Sequence, residues 1–131
     1  MSHYLEQRDE QERERLADSA ILSYDTLDEA LLARQKVWGS DGGVEFPKEF
    51  YAIEFVGEIG ELFNNMKKIM REHYGARGSR SSKRDLEDEF GDALITLKNL
   101  AMKYDVDLDR VAKRKFNETS IKYGFPHRVE I

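Results

Sequence analysis

The chain has 131 residues, of which 36% are charged and 40% apolar, with a net charge of −5 and no cysteine. That length suits one domain, and the acidic balance gives the chain as a whole no nucleic-acid footprint. Lack of cysteine excludes a disulfide framework, a thiol nucleophile and a thiolate metal site.

The opening stretch, MSHYLEQRDEQERERL, is too charged for a signal peptide or a membrane span. A cytoplasmic location is the expectation, in the host cytoplasm if the gene is viral. Residues 1–23 read as a charged arm or an extra helix, and 24–131 as the domain proper. Thr26-Leu-Asp-Glu29 has capping-box spacing, which predicts a first helix from Leu27 to Trp38, broken by Gly-Ser-Asp-Gly-Gly at 39–43. After Pro47 a long helix is expected from about Lys48 to His73. Tyr74–Ser82 is a Gly/Ser/Arg loop. A third helix is expected over about Lys83–Tyr104, and a fourth, N-capped by Asp107, to about Lys122, with Gly124 and Pro126 beyond its end. No stretch alternates as a strand does, so the expected fold is all-α.

At about 100° per residue, Glu54, Glu58, Glu61, Asn65 and Lys68 form one stripe of the second helix. Beside it lie Phe55, Leu62 and Ile69, and then Val56, Ile59, Phe63, Met66 and Met70. The acids border the apolar face instead of opposing it. Gly57 and Gly60 flank their other side, and each glycine costs a helix about 1 kcal/mol, which makes sense where a backbone or ligand comes close. The third helix repeats the pattern: Asp85, Glu89, Asp92, Thr96 and Asn99 run beside Leu86, Phe90, Ala93, Leu94, Leu97 and Ala101. If the helices pack through their apolar arcs, both acidic stripes face one groove. Crowded carboxylates tend to protonate unless a cation joins them, and a hard ion such as Mg²⁺ takes such oxygen ligands. Solvent-facing glutamates on amphipathic helices are the ordinary reading of any single pair. Two pairs bordering one core are harder to explain that way. A di-iron bundle would need Glu-x-x-His pairs, and the chain has none.

The basic residues divide between two readings. Lys115 on the fourth helix and Arg34 on the first sit within apolar stripes, where snorkelling over the core competes with phosphate binding. The loop arginines Arg77 and Arg80 are forks suited to phosphate oxygens, with Lys67, Lys68 and Lys122 as further cations. Trp38 either packs or stacks on a base.

Glu58-Ile-Gly-Glu61, a 27-residue spacer and Glu89-Phe-Gly-Asp92 resemble the E-x-x-E…E-x-x-D signature of the MazG-like all-α nucleoside triphosphate pyrophosphohydrolases. The resemblance runs from about Arg34 to the C-terminus and takes in Glu54, Lys67-Lys68, Arg77-Gly-Ser-Arg80 and the stretch Lys115–Lys122. It implies a bundle of four to five helices completed by oligomerisation, as a homodimer or homotetramer. It implies Mg²⁺, with Mn²⁺ as a substitute, held by Glu58, Glu61, Glu89 and Asp92. The reaction it implies is hydrolysis of a nucleoside triphosphate between the α and β phosphates, to monophosphate and pyrophosphate. Glu54 and Glu61 are then the candidates for activating water. Lys68, Arg77, Arg80, Lys115, Asn117 and Lys122 are candidates for the phosphates, and Arg34 and Trp38 for the base. Many relatives have an acid at the position of Gly57, and here Glu54 is the extra acid instead. Asn117 points away from the Lys115 face on an ideal helix. No membrane or nucleic-acid partner is expected. The competing reading is a non-catalytic helical nucleotide-binding or regulatory module that keeps the fold.

Overall fold

The computed structural model describes residues 7–8, 10–11, 21–40 and 45–131, and of residues 38–40 only the backbone. Gln7, Arg8, Glu10 and Gln11 are helical and exposed. The described residues contain no strand. Four helices follow in chain order: α1 (Leu27–Ser40), α2 (Lys48–His73), α3 (Lys83–Lys103) and α4 (Leu108–Lys122). By contacts the chain divides into two units, Met1–Ala30 and Leu31–Ile131. The division falls inside α1.

Side-chain caps set three of the four helix starts. Thr26 Oγ1 accepts from the Glu29 amide at 3.1 Å, and Asp107 Oδ1 accepts from the Arg110 amide at 3.1 Å. Ser82 and Asp85 form a reciprocal box at 3.1 and 2.9 Å. Each cap satisfies an amide that the helix cannot. Pro47, whose ring fixes φ near the helical value, leads into α2 without a side-chain cap.

The last three helices end alike. Ala76 donates to Arg71 O, Val106 to Ala101 O and Phe125 to Ser120 O, at 2.8, 3.0 and 2.8 Å. Each six-residue closure needs a residue of positive φ just past the helix. Gly75 and Gly124 fill that place twice, and Asp105, at φ 55°, fills it once.

α2 and α3 pack against each other extensively, the only helix pair among the described residues to do so. They run antiparallel. Lys48 Nζ stands 4.9 Å over the Tyr104 ring and Lys103 Nζ 4.8 Å over the Tyr51 ring, so the start of α2 meets the end of α3. At the other end Ser81, in the connecting loop, donates to Asn65 Oδ1.

The expected packing through the apolar arcs is only partly what forms. Leu62, Asn65, Ala93, Asn99 and Ala101 are buried, so the seam lies where the apolar arc borders the acidic stripe. The outer apolar stripe faces outward instead. Val56 is 67% exposed, Phe63 60% and Phe90 55%, and Met66, Met70 and Leu94 are exposed as well. The physical reason is the shortage of partners. Two helices can cover one arc of each other, and nothing else in the described chain covers the rest. The close approach expected at Gly57 and Gly60 is also absent within the chain, since a Cβ at either position would meet nothing within 4 Å.

Candidate metal and phosphate site

Because the seam sits at the polar border, it draws the acids of both helices together. One carboxylate oxygen each from Glu58, Glu89 and Asp92 lie within 4.8 Å of one another. Glu58 and Glu89 are half-buried and Asp92 is exposed. Partial burial, followed by the charges of Asp92, Glu89, Glu61 and Glu54, holds the Glu58 carboxyl above its ordinary value. Both causes disfavour a buried or crowded anion. Glu54 and Glu61 are therefore near enough to act on Glu58 electrostatically, although both are exposed and neither joins the tight trio.

The donor set is entirely carboxylate oxygen, the chemistry that Mg²⁺ and Mn²⁺ take in preference to softer metals. A divalent ion there would replace mutual repulsion with shared attraction. The residues present thus fit such an ion.

The hydrogen bonds from the Ser82 backbone and side chain hold the Asp85 carboxyl, one turn before Glu89, below its usual range. Of the basic candidates, the half-buried Lys68 is close enough to add a smaller electrostatic contribution there. Arg77 and Arg80 are exposed on the loop. Arg71, to which the sequence reading gave no part, lies against this loop. Its guanidinium Nη1 would stand 2.9 Å from any Cβ at Gly78, whose φ is 131°. Glycine at 78 therefore meets two demands, the backbone angle and the close side chain.

The contacts of the α4 candidates are local. Lys115 Nζ pairs with Glu118 at 3.5 Å, and Arg114 bonds the same carboxylate at 3.0 Å and lowers its pKa. Lys122 stands over the Tyr123 ring at 5.4 Å. Asn117 belongs to the C-terminal segment: its Nδ2 donates to Val129 O and its Oδ1 accepts from the Val129 amide, both at 2.8 Å. Both ends of the amide are engaged there. On α1, Arg34 is exposed, the side chain of Trp38 lies outside the described residues, and Gln35 Nε2 donates to Asn99 O at 3.5 Å.

No protein-family model matches the chain, and no solved structure does. A stretch of 69 residues is 35% identical to the Gene 37 protein of Mycobacterium phage L5, covering 53% of this chain and 60% of that protein. None of the helices described is long and apolar enough to cross a membrane.

Proposed function

We propose that the chain is a divalent-metal-dependent nucleoside triphosphate pyrophosphohydrolase of the MazG-like kind, acting on a nucleotide pool in a cellular or phage-infected cytoplasm. The observation that carries this reading is the meeting of Glu58, Glu89 and Asp92 across two helices within 4.8 Å. The paired spacing Glu58/Glu61 and Glu89/Asp92 supports it.

Glu58, Glu89 and Asp92 would hold Mg²⁺ or Mn²⁺, with Glu61 beside them. When bound, the ion supplies charge neutralisation and Lewis acidity. Phosphoryl transfer otherwise asks mainly for positioning. Glu54 or Glu61 takes a proton from the attacking water, whose oxygen bonds to the α-phosphorus. The bond from that phosphorus to the bridging oxygen breaks, and pyrophosphate leaves. Lys68, Arg77 and Arg80 bind phosphate oxygens, with Lys115 and Lys122 as further cations. Arg34 and Trp38 border the base. The outward apolar stripe of α2 and α3 supports assembly of two or four copies, each covering what the single chain leaves open.

Incubation with a panel of nucleoside triphosphates and Mg²⁺, with products resolved chromatographically, tests the proposal. Monophosphate and pyrophosphate are expected. Diphosphate with inorganic phosphate would make the protein a phosphatase. Absence of turnover across the panel would favour a binding module.

A further inference from the structure

The seam between α2 and α3 has a polar anchor on the same stripe as the acids. Asn65 is 8% exposed. Its Nδ2 donates to Glu61 O at 3.1 Å, and its Oδ1 accepts from Ser81 Oγ at 2.6 Å. Ser81 precedes the capping box of Ser82 and Asp85, which starts α3. The anchor therefore joins the backbone of the Glu58/Glu61 turn to the first turn of the helix that carries Glu89 and Asp92.

Its register matches that of the acids. Asn65 lies seven residues after Glu58, and its partner Ser81 lies eight residues before Glu89. Seven or eight residues are about two helical turns, roughly 10–12 Å. In an antiparallel pair, fixing Asn65 against Ser81 therefore sets Glu58 against Glu89. A slip of one residue would move Glu89 by about 1.5 Å along its helix and about 100° around it, away from the other two carboxylates. The buried amide thus has a task that an apolar side chain could not perform, because apolar contacts tolerate sliding and a short hydrogen bond does not.

We propose that Asn65 and Ser81 are positioning residues, a latch that sets the register in which Glu58, Glu89 and Asp92 converge. The proposal rests on the metal-site reading for its functional meaning, while its geometric content stands without it.

Two measurements on the full chain test it. Mn²⁺ affinity is read from the electron paramagnetic resonance signal of free Mn²⁺. Asn65→Ala and Ser81→Ala each weaken it by about tenfold or more, the scale for residues that orient metal ligands. Their combination weakens it little further, and Ser81→Thr, which keeps the hydroxyl, retains the wild-type affinity. Asp107→Ala, which removes the α4 cap, supplies a destabilised control that binds Mn²⁺ as the wild type does. In metal-free protein, nuclear Overhauser contacts between the Glu58 and Glu89 side chains are present in the wild type. They are lost in Asn65→Ala and Ser81→Ala while helicity persists. Retention of those contacts in both variants overturns the latch, as does a Mn²⁺ affinity in both that equals the wild type's. A wild type that shows the contacts but binds no Mn²⁺ refutes the metal-site reading alone, and the contacts in the variants then decide the latch.

Discussion

Replacing Glu58 by glutamine removes one charge from the carboxylate trio while keeping nearly the same shape. The native state holds the Glu58 carboxyl above its ordinary value of 4.5, through partial burial and then through Asp92, Glu89, Glu61 and Glu54. Such a group binds its proton more tightly folded than unfolded. Its favourable contribution is therefore complete below about pH 4.5 and is lost as pH rises through the raised value. At neutral pH the ionised cluster is a net burden on the metal-free protein. Two like charges 4.8 Å apart repel by about 0.9 kcal/mol at the dielectric constant of water. Glu58 faces two such neighbours, but salt and solvent screen an open cluster. A stabilisation of about 0.5–1.5 kcal/mol for Glu58→Gln at pH 7 and low salt follows, or roughly 2–6 °C in Tm for a chain of this size. Thermal unfolding by circular dichroism, with chelator, at pH 4 and pH 7 is the assay. The gap between variant and wild type should open as pH rises and shrink at high salt. Added Mg²⁺ should raise the Tm of the wild type and leave the variant nearly unmoved. A Glu58→Gln protein less stable than wild type at pH 7, or equally stabilised by Mg²⁺, would refute the reasoning.

Asp92→Ala and Glu61→Ala should each abolish nucleotide turnover with helicity intact, as read by product chromatography beside circular dichroism. Near wild-type activity in either would remove that residue from the mechanism. Asp105→Gly should stabilise the fold by about 0.5–1 kcal/mol, because a left-handed backbone is strained for any residue with a Cβ; denaturant titration measures it. Asn117→Ala should cost about 1–2 kcal/mol through two lost hydrogen bonds and speed amide exchange at Val129. An unchanged exchange rate there would mean that the clasp does not hold the tail.

The helix spans could be read from the sequence because their ends are encoded locally. Thr26, Pro47 and Asp107 mark starts, and Gly124 marks an end, each within a few residues of what it controls. The acidic trio could be read in outline for a related reason: steps of three and four place Glu58, Glu89 and Asp92 on stripes bordering the core. Glu61 stands at the same three-residue step from Glu58 as Asp92 does from Glu89, yet only Asp92 joins the trio, so spacing alone does not separate the two. Periodicity shows which residues share a face but not which face finds a partner. Hence Val56, Phe63 and Phe90 seemed to be core and are exposed. The Asn65–Ser81 bond spans a loop, and the Asn117–Val129 clasp depends on where the tail folds back. Neither contact has a signature in spacing.

The hairpin of α2 and α3 also bears on how the chain folds. Its most extensive tertiary contact joins segments separated by one short loop, so the chain needs little search to form it. Proteins dominated by such nearby pairings reach the native state in microseconds to milliseconds. The seam at Leu62 and Ala93 is where structure in the folding transition state is expected to concentrate, ahead of the folding back of the C-terminal tail.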